Sequence, residues 1–318
     1  MKILMMGFDP PVSKLYYHWK EGLKICGDEY KTISNPVNDY SLLDIADCYY
    51  QTNMIKPKFF AKGRDTNQGN HFQYIINSTK PYVVSETTPF RKHEGWMRFG
   101  WNSYKWTDGN FNNESVTNDR WRRFVDITNI KIKDWHSPGD NILIMGQKEG
   151  DSSIANLYEN YQSFYHWMIY IIEEIRKYSD RPIVVRPHPK NELRNIKRIN
   201  EEVIAKKIPN VYLSTNRSKG GNQGGESLEK DLQESYCVVT YNSNSGVEAI
   251  CEGIPTFALE NGSMVYPISH HDISRIENLN YDIDKTDWQN KIAYTIWNKE
   301  DVQKGTCWNH LKGVYFNE

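Results

Sequence analysis

The second half of the sequence alternates short apolar runs with longer segments of helical composition, and this alternation constrains the fold more than any other feature. Each apolar run is followed by a turn rich in Gly, Pro, Asn or Ser. Strands this short and this apolar, alternating with helices, are typical of a parallel sheet covered by helices on both faces. The predicted strands are Ile142–Met145, Ile183–Val185, Val211–Leu213, Cys237–Tyr241 and Thr256–Leu259.

The segments between these strands, and the first half of the chain, supply the other predicted elements. The pattern predicts helices at 158–178, 191–207 and 246–252, and a Gly/Asn-rich loop at 216–225. The first half alternates less clearly, with predicted strands at Ile3–Met6 and Tyr82–Ser85 and a helix at 16–26. The Trp- and Arg-rich stretch 91–124 has no clean period, which predicts a long, structured loop of the kind that often carries function.

A chain of 318 residues is long enough for about two domains. We therefore predict an α/β fold of two Rossmann-like domains that face one another across a cleft. Open α/β sheets bind ligands at the carboxyl ends of their strands, so this cleft is the expected ligand site. The predicted domains are 1–138 and 139–287, followed by a helical segment at 288–318 that packs back across the domain junction.

Composition excludes several classes of protein. With 38% hydrophobic and 25% charged residues the chain is globular and not intrinsically disordered, and a net charge of −1 gives no overall attraction to DNA or anionic lipid. No stretch approaches the roughly 18 apolar residues of a membrane span. The first residues are too short an apolar run for a signal peptide, and the five cysteines are scattered, so we expect a cytoplasmic protein.

Three of the predicted strands end in polar loops, which meet at one edge of a parallel sheet. A helix start preceded by serines offers unpaired N–H groups to a phosphate, and two prolines hold a histidine rigidly beside cations. Together these features predict a site for a phosphorylated ligand. The residues are Gln147, Glu149, Asp151 and Ser152 in the first loop, Arg186, His188 and Lys190 in the second, and Ser243, Asn244, Ser245, Gly246 and Glu248 in the third.

Each of these residue types also has a structural interpretation. Ser, Asn and Asp are common helix caps and turn residues, and a histidine at a strand exit often caps the sheet. The rings of the Trp/Arg stretch can stack on sugars or bases, and its arginines can bind phosphates or carboxylates. Tryptophans in such a stretch also belong to protein cores. The candidate ligand-binding residues of this stretch are Arg98, Trp101, Trp106 and Arg122.

Motifs for other chemistries are missing from the sequence. It contains no P-loop, no GxGxxG and no GxSxG, so kinase, dehydrogenase and hydrolase interpretations have no motif behind them. His270, His271 and Asp272 are adjacent, but no further ligand follows at a spacing diagnostic of a metal site. We therefore predict no metal and no other cofactor.

The order and spacing of four segments resemble bacterial capsule-polysaccharide glycosyltransferases, the Kdo-transferase and sialyltransferase-like group of GT-B fold. The segments are ILIMGQKEGDSS (142–153), VVRPHP (184–189), VVTYNSNSGVEAICEGIPTFAL (238–259) and AYTIWNKEDVQKGTCWNHL (293–311). The resemblance covers residues 142 to about 311; the first half matches loosely through VVSE and RFGWNSY.

The resemblance implies transfer of a sugar from a CMP- or UDP-activated donor to an acceptor hydroxyl. Domain 139–287 then binds the nucleotide sugar, and domain 1–138 binds the acceptor through Arg98, Trp101, Trp106 and Arg122. It makes Asp151 the base on that hydroxyl, assigns the donor phosphate to His188 and to the serine loop, and brings Glu248 or Glu252 to the ribose. The acidic pair of the family is here split by Gly150, so the choice between Glu149 and Asp151 stays open.

Other functions remain open at the level of sequence. The chain is short and rich in Asn, Lys, Tyr and Ile, in the manner of phage-encoded enzymes, and phage glycosyltransferases modify hydroxymethylated DNA bases. DNA is therefore the alternative acceptor, with the Trp/Arg stretch as its contact surface. A nucleotide-sugar epimerase and a non-catalytic module that binds nucleotides or glycans are further alternatives.

Overall fold

The computed structural model describes residues 1–6, 15–33, 44–52, 75, 77–90, 93, 95–190, 192–216 and 226–316. The chain divides into two compact units. The first comprises Met1–Thr88, Glu94–Phe124 and Gln289–Glu318, and the second comprises Pro89–His93 and Val125–Trp288. Each unit is a sheet with helices, and the predicted fold class of two Rossmann-like α/β domains is confirmed.

The first unit contains a six-stranded mixed sheet in the order β11-β5-β4-β3-β1-β2. Strands β1 to β4 run parallel, whereas β5 and β11 at the other edge pair antiparallel. Helix α1 (Leu15–Ile25) connects β1 and β2. The strands are β1 (Lys2–Met6), β2 (Glu29–Ile33), β3 (Cys48–Thr52), β4 (Tyr82–Thr87), β5 (Trp96–Trp101) and β11 (Ile296–Asn298).

The core of the first unit contains packed aromatic rings from helix α1, from strand β5 and from the C-terminal segment. Trp19 of α1 stacks on Phe99 of β5, with ring centroids 5.1 Å apart and the planes inclined by 5°. Trp308 meets Trp19 edge-on at 5.7 Å, and its indole N–H donates to Asp28 Oδ2 at 2.6 Å. The C-terminal segment is therefore part of this core.

The prediction that residues 288–318 are helical is correct for three helices but misses a strand. Strand β11 pairs with β5 and places Ile296 opposite Arg98. Three residues are too few to show a strand period between helices. The helices are α7 (Thr286–Ala293), α8 (Lys299–Gln303) and α9 (Thr306–Lys312).

The prediction of a long loop at 91–124 is wrong in part, because this stretch contains β5 and the start of helix α2 (Asp119–Thr128). Four of the six residues of β5 in a row are buried, from Arg98 to Trp101. Both faces of the strand are covered, so polar and apolar residues do not alternate along it. Residues 91, 92 and 94 lie outside the described part.

The second unit is a five-stranded parallel sheet in the order β10-β9-β6-β7-β8. All five strands match the predicted ones to within two residues at each end. Helix α3 (Phe164–Arg176) is shorter than predicted, because a separate turn precedes it at Ser152–Glu159. The strands are β6 (Asn141–Met145), β7 (Ile183–Arg186), β8 (Val211–Leu213), β9 (Ser235–Thr240) and β10 (Thr256–Ala258).

The other helices of the second unit lie where the alternation predicts them. Helix α4 (Glu192–Arg198) continues through single turns to Lys206, and α6 (Ser245–Cys251) follows β9. Helix α5 (Glu226–Gln233) precedes β9 and was not predicted. Of the predicted loop 216–225, only Asn216 lies within the described residues.

The strand order creates a switch point between β6 and β9. From β6 the chain adds β7 and β8 on one side, then crosses to add β9 and β10 on the other. The connections after β6 and β9 therefore leave in opposite directions, and open α/β sheets bind ligands in the crevice that this leaves at the carboxyl ends.

The domain boundary in the structure differs from the predicted one at 138. Residues 125–138 belong to the second unit, where the backbone of Lys133 donates to Cys251 O and that of His136 to Gly253 O, both at 2.9 Å. The indole of Trp135 donates to Ile283 O at 2.7 Å. In the part of the chain that is described, no helix combines the length and apolarity needed to cross a bilayer.

Candidate active site

The two strand exits at the switch point are tied together by a pair of side-chain amides. Gln147, two residues after β6, donates from Nε2 to Asn242 Oδ1 at 2.7 Å. In return Asn242 N–H donates to Gln147 Oε1 at 3.0 Å. Gln147 is 7% exposed, so its predicted contact with the donor is replaced by a structural one: it holds the loops after β6 and β9 in register.

Asn242 extends this tie to a third loop. Its Nδ2 group donates to Ser153 O at 2.6 Å and to Glu260 Oε2 at 3.0 Å. The same carboxylate oxygen accepts from Gly262 N–H at 3.0 Å. We call Gln147, Asn242 and Glu260 the exit clamp. Sequence reasoning missed Asn242 and Glu260, although each is a polar residue close behind a buried strand.

The serine loop after β9 is ordered by its own hydroxyls. Ser243 N–H donates to Thr240 Oγ1 at 2.9 Å, and Ser243 Oγ accepts from Ser245 N–H at 3.2 Å while donating to Ser245 Oγ at 3.2 Å. Asn244 makes no side-chain capping bond. Ser243 therefore caps the start of α6, and both serine hydroxyls remain partly exposed on the sheet edge.

Two residues of α6 have roles that the sequence did not separate. Gly246 is buried, and a Cβ there would lie 3.1 Å from Val265 Cγ2, so Gly246 makes a tight contact with the protein itself. Glu248 is partly buried in the first turn, whereas Glu252 ends the helix and pairs with Lys133 at 2.5 Å. Of the two acids proposed for the ribose, only Glu248 lies at the serine-loop end.

Arg186 is held by protein partners, which leaves its predicted contact with the donor without support from the structure. Its guanidinium forms a buried ion pair with Asp231 of α5 and donates to Asn216 O at 2.8 Å. Asp231 also accepts from Ser214 Oγ and from Asn216 Nδ2, both at 2.8 Å. Arg186 is 8% exposed, and a charge buried this deeply requires a partner, which this network supplies.

His188 lies in the loop after β7 with a defined orientation. Its Nδ1 atom accepts from the backbone N–H of Lys190 at 3.0 Å. In the neutral ring the proton is then on Nε2, which makes that nitrogen a donor. Asn195 of α4 donates to His188 O at 2.8 Å and to Lys190 O at 3.0 Å, while Tyr165 donates to Asn195 Oδ1 at 3.2 Å.

The loops after β6 and β7 are in direct contact. Gly146 N–H donates to Arg186 O at 2.8 Å, and a Cβ on Gly146 would lie 2.4 Å from that oxygen and 3.0 Å from His188 N. Only glycine allows this approach. Lys190 is exposed at the same loop and is the remaining cation of the RPHPK sequence.

The two candidate acids differ in how their carboxylates are used. Glu149 accepts from Tyr158 OH and from Phe164 N–H, both at 3.0 Å, and so caps helix α3. Burial, with a contribution from the Glu149 charge, raises the pKa of Tyr158, so this phenol stays a donor. Asp151 accepts from Ser153 N–H at 3.0 Å through Oδ1 and caps the turn that starts at Ser152. Both acids are partly exposed, but among the described residues Asp151 uses only one carboxylate oxygen, which makes it the better placed of the two for a reacting group.

Two of the four predicted acceptor residues are in the core of the first unit. Trp101 has an exposed fraction of 0%, and its indole donates to Leu311 O at 2.7 Å. Arg98 is 4% exposed and donates to Thr87 O at 3.1 Å and to Tyr104 O at 3.2 Å. Neither offers surface to an acceptor, so these two assignments are corrected. Trp106 is partly buried and Arg122 is exposed.

The pair His270–His271 has ring contacts of its own. His270 stacks on Phe257 with ring centroids 5.0 Å apart, and its backbone forms an isolated parallel β-bridge with Phe257 of β10. His271 stacks on Tyr266 with ring centroids 3.8 Å apart. Burial lowers the pKa of His270. Among the described residues, no group of three or more His, Cys, Asp and Glu side chains is placed to hold a metal ion.

Comparison with known proteins identifies the fold. No protein-family model and no curated protein matches the sequence. Two solved structures of KpsC from Thermosulfurimonas dismutans match this chain. The β-Kdo 2,7 transferase structure has a TM-score of 0.54 at 13% sequence identity. The match covers 93% of this chain and 90% of the transferase chain. The β-Kdo 2,4 transferase structure has a TM-score of 0.53 at 12% sequence identity. That match covers 92% of this chain and 89% of the transferase chain.

A third similar structure is more distant. The UDP-GlcNAc 2-epimerase of Methanocaldococcus jannaschii, in complex with UDP-GlcNAc and UDP, covers 96% of this chain and 98% of its own at 12% identity, but with a TM-score of 0.36. That score is too low to indicate a shared fold. The likeness to the two Kdo transferases therefore shows a glycosyltransferase-like fold.

Proposed function

We propose that this protein is a glycosyltransferase that moves a sugar from a nucleotide-sugar donor to an acceptor hydroxyl. One observation supports the proposal: the exit clamp ties together the loops after β6, β9 and β10, which include Asp151 and the serine loop, and Gly146 ties the loop after β6 to the loop after β7 that carries His188. An α/β sheet of this topology binds its ligand there. The fold shared with two Kdo transferases supports the same reaction class.

The donor phosphate has three kinds of partner in this proposal. His188 donates from Nε2, Ser245 donates from its hydroxyl, and Ser243 donates once a phosphate oxygen replaces Ser245 Oγ as the acceptor of its proton, while Lys190 supplies positive charge. These donors stabilise the negative charge that grows on the phosphate oxygen as its bond to the sugar breaks. Arg186 contributes to this site only indirectly, because Asp231 occupies its guanidinium.

The acceptor reacts on the side of Asp151. The hydroxyl oxygen attacks the anomeric carbon of the donor sugar while its proton passes to the Asp151 carboxylate, and the nucleotide leaves with the electron pair of the broken bond. A base in this role must lie within hydrogen-bond reach of the hydroxyl. Glu149 is the less suitable base, because both of its oxygens already accept hydrogen bonds.

The alternatives named from sequence have less support. DNA as acceptor depended on the Trp/Arg stretch, and Arg98 and Trp101 in that stretch are buried. An epimerase acts on the donor alone and needs no acceptor, so product analysis separates it from a transferase.

The proposal is tested by measuring nucleotide release and sugar transfer from CMP- and UDP-sugars by the full chain. His188→Ala should lower the rate of turnover by roughly 30- to 1,000-fold, the equivalent of about 2–4 kcal/mol of transition-state stabilisation. The matched control is His166→Ala, since His166 is an exposed histidine on α3 of the same unit. Turnover of His188→Ala within about threefold of that control would make His188 a structural residue.

A further inference from the structure

A second concave surface in the second unit lies along helix α3. This groove has a volume of about 430 Å³. One wall is formed by α3 and the turn before it, and the other by residues 271–274. We call it the α3 groove; the residues that define it are Tyr161, Tyr170, Glu174, Tyr178 and Asp272.

The α3 groove presents aromatic rings to solvent. Tyr170 and Tyr178 are 46% and 47% exposed, so both rings are available to a ligand. Tyr170 and Glu174 are four residues apart on α3 and so share one face of the helix, and Tyr178 lines the same groove two residues beyond the helix end. Tyr161 extends the surface, since its ring centroid lies 5.5 Å from that of Tyr170 with the planes inclined by 48°.

The floor of the groove is rigid. Trp167 is 3% exposed and Tyr241 is 8% exposed, and their rings meet edge to face with centroids 5.5 Å apart. Tyr241 and Leu259 line the groove, and the next residues along the chain, Asn242 and Glu260, belong to the exit clamp. The α3 groove is therefore adjacent, along two chain segments, to the exit clamp of the candidate active site.

The polar groups that line the α3 groove are two carboxylates, an amide, the His271 imidazole and the hydroxyls of Ser274 and of the tyrosines. Glu174 forms an ion pair with Lys177, and Asp272 accepts from Ser274 N–H at 3.0 Å and from Ser274 Oγ at 2.6 Å. The Ser274 hydroxyl and backbone hold the pKa of Asp272 below its usual value, so it is an acceptor at neutral pH. Asn160 adds an amide. Among the described residues that line the groove there is no Lys and no Arg.

This combination matches the chemistry of a saccharide. The C–H groups on the face of a pyranose carry partial positive charge and suit the negative face of an aromatic ring, while sugar hydroxyls donate to carboxylates. A nucleotide phosphate would face Glu174 and Asp272 without a cation from the lining, which is unfavourable. Pockets of this size with aromatic walls and a few polar groups are typical ligand sites.

We propose that the α3 groove binds a neutral oligosaccharide at a site separate from that of the nucleotide sugar. This goes beyond the proposed function, because saccharide binding here requires no transfer. The groove would hold a saccharide chain beside the reacting site without contacting the reacting atoms.

The proposal is tested by titrating cellotetraose, chitotetraose and maltotetraose separately into the full chain. The dissociation constant of at least one should be below about 1 mM, and the double variant Tyr170→Ala/Tyr178→Ala should raise it at least tenfold. Tyr170→Phe/Tyr178→Phe keeps the rings and should stay within threefold. Tyr212→Ala is the matched control, since Tyr212 is 54% exposed on β8 outside the groove.

The proposal is overturned if none of the three tetrasaccharides binds, if the double alanine variant binds as the wild type does, or if Tyr212→Ala loses as much affinity. It is also overturned if saturating UDP or CMP displaces the tetrasaccharide, because the two sites would then be one. A thermal shift of the double alanine variant with nucleotide tests the proposed function separately and should equal that of the wild type.

Discussion

At the scale of single residues, the two acids in the loop after β6 are distinguished by their hydrogen bonds. Both carboxylate oxygens of Glu149 accept hydrogen bonds, one from Tyr158 OH and one from the backbone at the start of α3. Asp151 accepts with one oxygen, from the turn that it caps. The first acid is therefore expected to act on stability and the second on catalysis.

We predict that Asp151→Asn abolishes transfer while the affinity for the donor stays nearly unchanged, because the amide keeps the capping acceptor but loses basicity. Glu149→Gln is the matched isosteric variant. It should retain transfer and lower the free energy of unfolding by about 1 kcal/mol, the usual cost of a weakened helix cap. Turnover, donor affinity and urea denaturation check both. Full activity of Asp151→Asn would move the role of base to Glu149.

Residue roles were harder to predict from sequence than residue positions. The loops that carry His188, Ser243 and Asp151 were identified correctly, because a polar run after an apolar strand marks a strand exit. The partners of Gln147 and Arg186 were not, because they lie 95 and 45 residues away along the chain. No local pattern identifies such partners, so both side chains were assigned to a ligand.

At the scale of elements, the ion pair of Arg186 and Asp231 connects the end of β7 to helix α5 and to the segment after β8. Both side chains are almost fully buried. Removing one partner of a buried pair leaves an uncompensated charge, whereas an apolar replacement of both is often close to neutral.

We predict that Arg186→Met lowers the free energy of unfolding by about 3–5 kcal/mol, and that Arg186→Met/Asp231→Leu recovers most of the loss. Urea denaturation of the wild type, both single variants and the double variant measures the coupling. If Arg186→Met were as stable as the wild type but failed to bind nucleotide, the guanidinium would contact the phosphate, as the sequence had suggested.

Strands that form a short continuous apolar run were predicted, and strands interrupted by polar residues or glycine were not. Strands β6, β7 and β8 follow from their apolar runs, and β8 was predicted with the observed bounds. Strands β5 and β11 pair antiparallel with each other, and β5 is buried on both faces. Their pairing joins residues about 200 apart, and neither strand alternates in a way that reveals it.

At the scale of the whole molecule, the C-terminal segment completes the first unit. Trp308 is 1% exposed and packs against Trp19 and Trp101, and Asp28 accepts from its indole. Burial alone would raise the pKa of Asp28, but hydrogen bonds from Trp308, the N-terminus and Lys312 hold it below its usual value. Asp28 therefore adds stability at neutral pH that is lost as the pH falls through its lowered pKa.

We predict that Trp308→Ala lowers the free energy of unfolding by about 3–5 kcal/mol, because it opens a cavity and removes a donor from a buried carboxylate. Trp106→Ala is the control, since Trp106 belongs to the same unit but is only partly buried. Chemical denaturation followed by tryptophan fluorescence measures both. Equal stability of the two variants would contradict the account of this core.

The central claim is that the nucleotide sugar binds at the carboxyl edge of the second sheet. The most direct measurement is a crystal structure of the full chain with bound CMP or UDP. The account predicts phosphate oxygens within about 3 Å of Ser243 Oγ, Ser245 Oγ or His188 Nε2. Phosphates that lie more than about 7 Å, roughly one long side chain, from both the serine loop and His188 would contradict it.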